Sequence, residues 1–269
     1  MDACVEIEIA PSSTVSSPVD SSTQPALLAD RVGRTLVVVA AALLLASPLG
    51  YRFGLLPLKI ALVYLIPGAM LMAMLSLLLI SFALLSRASA ESGNLGVVPA
   101  VAGIALSLIC GAVPALQIAK ALWLPPIHDI TTDTVLVPPY VALAAQRRAA
   151  PNGIDYEGAQ VARQQLDVYP EVQTLHSRLG ERELFALAQR LATESGWQIV
   201  AAEASQGRIE AIATTLLFGF KDDIVIRVWL EGGASRIDLR SMSRIGQSDL
   251  GANAARVQAF LEKLRAAGA

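Results

Sequence analysis

Pro125-Pro126-Ile127-His128-Asp129-Ile130-Thr131-Thr132-Asp133 divides this chain of 269 residues into two unlike halves. Ahead of it lie three long apolar runs. After it, apolar and charged residues alternate as they do in a water-soluble domain. Hydrophobic residues make up 54% of the chain and charged ones 16%, too apolar a mixture for one ordinary soluble domain, so the excess has to sit in one place. It sits before Pro125, and the remainder is long enough for a domain with its own core.

Residues 1–34 read as a disordered tail rich in Ser, Thr, Pro and Val, without the basic start of a cleaved signal peptide. Region 35–124 reads as three transmembrane helices at about 35–50, 60–85 and 95–119, since a span takes about 20 apolar residues. Pro67-Gly68 reads as a kink tolerated by neighbouring helices. Lys120 and Trp123 read as interfacial anchors. Gly103, Ser107, Gly111 and Ala115 recur every four residues. Small residues on one face let a second helix approach, either within the bundle or in an oligomer formed through the third span. None of the runs holds Asp, Glu or His, which argues against an ion or proton path.

Residues 125–155 read as an extended strap, held by Pro125, Pro126, Pro138, Pro139 and Pro151, with Gln146-Arg147-Arg148 as a solvated charge run. Residues 156–269 read as an α+β domain. Helices are expected at 159–169 and 181–195, the second ended by Gly196, with a short strand at 172–175 between them. Four strands follow at 197–202, 208–217, 222–230 and 235–243, then a helix at 249–266 with Ser248 and Asp249 as N-cap candidates. Short turns make the strands antiparallel. A hairpin centred on Gly232-Gly233 sets Ile226 opposite Leu239 and Val228 opposite Ile237; the other face then pairs Arg227 with Asp238 and Trp229 with Arg236. Both faces sort at once, which fixes the register. The expected fold is a four-stranded antiparallel sheet with helices on one face, following an all-α bundle of three transmembrane helices.

The 125–133 stretch resembles the opening signature of the domain-of-unknown-function 1499 family. Further pieces fit the same family: Ala150-Pro151-Asn152, Tyr169-Pro170, Gly196-Trp197, Gly207-Arg208-Ile209-Glu210-Ala211, Phe218-Gly219-Phe220-Lys221-Asp222-Asp223, Ser243-Arg244, and Ser248 through Asn253 to Arg256. The resemblance runs from Pro125 to the C-terminus, and the leading spans look like a membrane-anchored form. It implies an envelope location and no activity, so no catalytic residue carries over. Positive-inside counting is tied, with Arg31, Arg34 and Arg87 on one side and Arg52, Lys59 and Lys120 on the other. Weighting the pair before the first run places the N-terminus inside, and the resemblance also favours a periplasmic domain.

Two constellations could carry chemistry. His128, Asp129 and Asp133 are metal-ligand types, but alternate residues of an extended chain point to opposite sides, so the blander reading is that they fasten the strap. Arg227, Arg240, Arg244, Asn253 and Arg256 could hold an anion such as a lipid headgroup or glycan phosphate, because the guanidinium fork suits carboxylate and phosphate. The competing reading is a salt-bridge network. Phe218-Gly219-Phe220 at a turn would touch a membrane or a partner, or close one end of the core. Cys4 and Cys110 are the only cysteines, so the soluble half has neither a disulfide nor a thiolate site. The histidines are His128 and His176, and no phosphate loop, nucleophile elbow or zinc helix is present. A net charge of −2 without a basic stripe excludes a nucleic-acid partner. The expectation is an inner-membrane protein without cofactor, whose periplasmic domain binds an envelope protein or an anionic lipid or glycan. The alternative is a metal-dependent hydrolase built on His128, Asp129 and Asp133.

Overall fold

The computed structural model describes residues 24–88 and 97–269. The first 23 residues of the expected tail, with Cys4, lie outside the described residues. Helices α1 (Gln24–Arg52), α2 (Ile66–Ala88) and α3 (Val97–Trp123) belong to three stretches long and apolar enough to cross a membrane. Helix α1 begins ahead of the apolar run, inside the stretch read as a tail, where Arg34 pairs with Asp30 one turn back. A π-helical turn, Ile60–Leu65, precedes α2. Pro67 brings no N–H and its ring crowds the carbonyl four residues earlier, so the ladder re-registers ahead of it. Ser47 Oγ reaches across from α1 and donates to Ala61 O at 2.9 Å.

The buried face of α3 is Ala100, Gly103, Ser107, Cys110 and Pro114, in alternating steps of three and four. That is the seam of a helix pair. A strict four-residue step drifts by about 40° each time on a helix of 3.6 residues per turn. Gly111 is therefore only half-buried and Ala115 is exposed. Ile80 of α2 sits between α1 and α3: a Cβ on Gly33 would meet its Cγ1 at 2.6 Å, and one on Gly103 its Cδ1 at 2.7 Å. Ser107 Oγ donates to Ser76 Oγ at 3.0 Å and Ser76 Oγ to Gly33 O at 2.7 Å, which joins the three helices at one level.

The soluble part contains β1 (Asp129–Thr131), α4 (Ala144–Arg148), α5 (Ala159–Val168), β2 (Leu175–Ser177), α6 (Glu181–Glu194), β3 (Gln198–Glu203), β4 (Arg208–Thr214), β5 (Lys221–Glu231), β6 (Ala234–Ser243) and α7 (Ala252–Ala266). The fold is α+β, but the sheet has six strands rather than four. The path is β1-β6-β5-β4-β3, and β2 shares the outer edge of β6 with β1. Both extra strands are three residues long: β2 begins where the short strand expected at 172–175 ends, and β1 lies in the strap, where no strand was expected. They cover the β6 edge in two pieces, β1 along Arg240–Met242 and β2 along Ser235–Ile237. Between them Thr132 closes the gap, its N–H donating to Leu239 O at 2.9 Å and its Oγ1 accepting from Leu239 N–H at 3.0 Å. The outer edge of β1 is closed in turn by the buried amide of Gln165, which accepts from Thr131 N–H at 3.0 Å and donates to Thr131 O at 2.7 Å. A side chain thus stands where a neighbouring strand would, and the edge is not left open.

The β5–β6 hairpin has the register read from the sequence, with Ile226 opposite Leu239 and Arg227 opposite Asp238. One face of the sheet carries Ile209, Ala211, Ile224, Ile226, Val228, Ile237 and Leu239 against α6 and α7, and Trp197 stacks on Phe260 at 4.8 Å. The other face is not open to water. The strap crosses it, and Tyr140 and Leu143 pack on Ile212, Val225 and Met242 in a second core. The sheet is therefore the middle layer of three, not the outer of two.

Candidate functional site

Between strap and sheet, arginines and carboxylates are matched side chain for side chain. Asp129 takes Arg240 in a two-pronged pair, Nε to Oδ1 at 3.0 Å and Nη2 to Oδ2 at 2.7 Å, with side chains 1% and 4% exposed. The same guanidinium donates to Pro138 O and Ile154 O, and lies between the rings of Tyr140 and Tyr156 at 4.8 and 5.9 Å. Asp223 accepts from Arg147 Nη1 at 3.3 Å and from Arg244 Nη2 at 2.8 Å. Glu210 of β4 accepts the backbone N–H groups of Val141, Ala142 and Leu143 at 2.9–3.0 Å. It also lies 3.0 Å from Arg208 Nε, an ion pair whose angle is not that of a hydrogen bond. Glu210 thereby fixes the entry of the strap into α4.

Asp238 is the most connected carboxylate. It accepts from Thr174 at 2.6 Å, Arg227 at 2.8 Å, Trp229 Nε1 at 3.1 Å, Arg236 at 3.1 Å and Thr132 at 3.3 Å. Burial alone would raise its pKa, but the hydrogen bonds from Thr174, Arg227, Trp229 and Arg236 outweigh burial and hold it below the usual carboxylate value. A depressed folded pKa contributes stability that is present above the unfolded value, about 3.9, and lost as pH falls through the folded one. Asp238→Asn is expected to remove that part of the acid limb. Urea midpoints read by tryptophan emission should fall less steeply below about pH 4 in the variant than in the parent. Identical slopes would show that Asp238 is not the group responsible.

The side chains singled out in the sequence separate accordingly. His128, Asp129 and Asp133 diverge: His128 Nδ1 faces Gln247 O at 3.4 Å, Asp129 pairs with Arg240, and Asp133 pairs with Arg236 and, at 3.3 Å, with Arg227. Among the described residues no group of three or more His, Cys, Asp or Glu is placed to hold a metal. Of the five anion candidates, Arg227 pairs with Asp238, Arg240 with Asp129, Arg244 with Asp223, and Arg256 with Asp222 at 2.6 Å. Asn253 donates to His128 O and to Ser243 Oγ. Asp249, expected to cap α7, takes the N–H groups of Gly251 and Asn253, both at 2.8 Å. One expectation is overturned: Arg147 is not a solvated charge but fully buried, drawn in by Asp223, by Met242 O at 3.4 Å and by the Tyr140 ring at 5.7 Å. His176 is exposed on β2.

A concave space lies where the strap doubles back over the sheet. It is a cavity of about 480 Å³ whose walls are Val137, Pro139 and Tyr140 from one limb of the strap, Arg148, Ile154, Asp155 and Tyr156 from the other, and Arg240 from β6. Arg240 is satisfied, as described above. Arg148 is exposed and makes no ion pair among the described residues, unlike its neighbour Arg147. The Tyr156 hydroxyl is buried and has no hydrogen-bond partner among the described residues. Its pKa is pushed up to about 12, by burial first and by the Asp129 charge second, against the opposing pull of Arg240. It therefore keeps its proton and serves as a donor. Tyr140 and Tyr156 carry no mark in the sequence that singles them out, and Arg148 reads there only as part of a solvated charge run.

Three spans followed by a sheet sandwiched between helices and a strap make this a multi-pass membrane protein with an α+β domain. Residues 138–264 match the model of a family described as protein of unknown function (DUF1499). The match begins inside the strap, so the 125–133 stretch lies just ahead of it. A search of curated proteins brings no match.

Proposed function

We propose that this is a non-catalytic binding protein of a bacterial inner membrane, whose α+β domain faces the periplasm and takes an anionic envelope component in the strap cavity. The observation that carries the reading is the contrast in charge satisfaction. The arginines of the sheet are each paired with a carboxylate, whereas on the cavity wall Arg148 has no ion pair among the described residues and the Tyr156 hydroxyl no hydrogen-bond partner there. Ligand sites combine apolar and aromatic walls with a few convergent polar groups, and Pro139, Tyr140 and Ile154 supply such walls here. The dispersal of His128, Asp129 and Asp133 onto separate partners supports binding over hydrolysis.

The chemistry that fits is a phosphate monoester, as found on a lipid headgroup or a glycan. The test is calorimetric titration of the full chain in phosphatidylcholine nanodiscs with sn-glycerol 1-phosphate. Arg148→Glu is expected to weaken binding roughly tenfold or more, since a hydrogen bond to a charged group contributes about 1.5–3 kcal/mol. Absence of binding in the parent, or equal affinity in the variant, would overturn the site. Paired C-terminal reporters, one active only in the periplasm and one only in the cytoplasm, test the sidedness separately.

A further inference from the structure

The turn between β4 and β5 packs against the end of the first span. Thr215 closes it: Thr215 N–H donates to Phe220 O at 2.9 Å, Gly219 N–H donates to Thr215 O at 3.0 Å, and Phe220 N–H donates to Thr215 Oγ1 at 2.9 Å. The rings of Phe218 and Phe220 stack at 4.9 Å, with an angle of 8° between their planes. Both turn toward Tyr51 at the end of α1, with centroids at 6.3 and 5.4 Å. The next residue, Arg52, donates from Nη1 to Leu216 O, and its stem lies against Gly219. The soluble domain is thus fastened to the end of the first span by an aromatic cluster and a guanidinium. It is not hung from α3 alone.

What that cluster leaves outside is apolar. Leu216 is 83% exposed and Leu217 52% exposed. They stand beside the end of α1, where Phe53 and Leu55 are also exposed, and Leu122 and Trp123 close α3 in the same way. An aromatic and basic belt at the ends of spans marks the lipid–water boundary. A residue bonded to Arg52 sits at that boundary or within it.

We infer that Leu216 and Leu217 insert into the leaflet crossed by the ends of α1 and α3, so that the β4–β5 turn docks the domain on its own membrane. The occupant of this apolar patch is lipid, because the patch is continuous with the ends of the spans that lipid already surrounds. The turn then sets the tilt of the sheet over the bilayer, with the β5–β6 tip at the far end of an 11-residue strand, roughly 33 Å away at the usual rise per residue. The inference depends neither on what the cavity binds nor on which side of the membrane the domain faces.

The test uses the full chain carrying Cys4→Ser and Cys110→Ser, with Leu216→Cys labelled by a nitrobenzoxadiazole fluorophore, in palmitoyl-oleoyl phosphatidylcholine vesicles. The internal control is the same label at Leu230→Cys near the far tip, where Leu230 is 57% exposed. At position 216 the emission is expected to shift to the blue and to be quenched by lipid bearing a nitroxide high on its acyl chain, while at 230 it stays water-like and unquenched. Water-like, unquenched emission at 216 would overturn the proposal. So would a blue shift without quenching, which means that protein covers the turn, and so would equal quenching at both positions, which means adhesion without selectivity.

Discussion

Asp129→Ala is expected to destabilise the soluble domain by about 3–5 kcal/mol, because it leaves the Arg240 guanidinium buried without its anion. Domains of this kind hold only about 5–15 kcal/mol in total, so the loss is a large share of what keeps the fold. The cause is specific to this pair. Both side chains are almost wholly excluded from water and meet in a two-pronged geometry, and among the described residues Asp129 is the one carboxylate within ion-pair distance of Arg240. Its remaining partners are two strap carbonyls, the Met242 Sδ at 3.6 Å and two tyrosine rings. Water entering to solvate the bare charge has to displace the strap, so the strap should loosen before the domain unfolds. Urea midpoints on the full chain in micelles measure the first effect, and trypsin cleavage at Arg148 measures the second. Replacing both partners, Asp129→Leu with Arg240→Met, should recover part of the stability, since paired removal of a buried ion pair is often close to neutral. It should not recover trypsin resistance, because the ties from Arg240 to Pro138 O and Ile154 O are gone. A single variant within about 1 kcal/mol of the parent would place the pair outside the large-effect class of buried charges.

The same pair shows why the strap was hard to read in advance. The hairpin register was legible because the alternation of Ile226 and Val228 with Arg227 and Trp229 sorts two faces at once. The strap has no such alternation, and its strand is three residues held to β6 by register with Arg240–Met242. Yet the sheet carried a hint. Ile212, Val225 and Met242 lie on the face that also bears Glu210, Asp223, Arg227 and Arg240. A solvent face need not carry three apolar side chains as neighbours, whereas a face covered by a second layer does. Reading that cluster with Leu143 and Arg147, one helical turn apart, would have pointed to a cover whose charges complement those beneath it. In the membrane half the three spans were legible from their apolar runs, and the difference lies in one helix face. A row of small residues at steps of four looked like one face, but only its first half lies in the seam, because the true contact alternates steps of three and four. The candidate cavity was illegible for a different reason. It is formed by two limbs of the strap and one strand, and nothing local to Tyr140, Arg148 or Tyr156 announces that they meet.

A covered second face also changes how the functional reading should be weighed. If the sheet were open, its arginines would be the natural anion site. Covered and neutralised, they act as the frame that holds the strap in a bend, and the bend makes the cavity. Binding would then be sensitive to strap order, and variants such as Asp129→Ala would affect the ligand at a distance from Arg148.

Gly207→Ala is expected to be the most damaging single methyl group in the domain, at more than about 4 kcal/mol. Gly207 follows the 3₁₀ turn Ala204–Gln206 with φ +60° and ψ 25°, the left-handed region that a side chain makes costly. Strain of that kind is only about 1–2 kcal/mol. The larger part is steric. A Cβ at Gly207 would lie 1.8 Å from Val228 O and 3.0 Å from Val228 C, which are backbone atoms with no rotamer to change. Nor can the chain simply draw apart, because Val228 N–H donates to Gly207 O at 2.7 Å and holds the two main chains together at that point. The β4–β5 ladder would have to open at its Arg208 end, next to the central hydrophobic core. Gly232→Ala is the matched comparison. Its φ is also +60°, but nothing lies within 4 Å of the added methyl, so it should cost only the conformational part, about 1–2 kcal/mol. Thermal or urea midpoints of the two variants, measured on the full chain, separate strain from collision. If both lose the same amount, the approach of Val228 is softer than its geometry states, and positive φ alone explains the glycine.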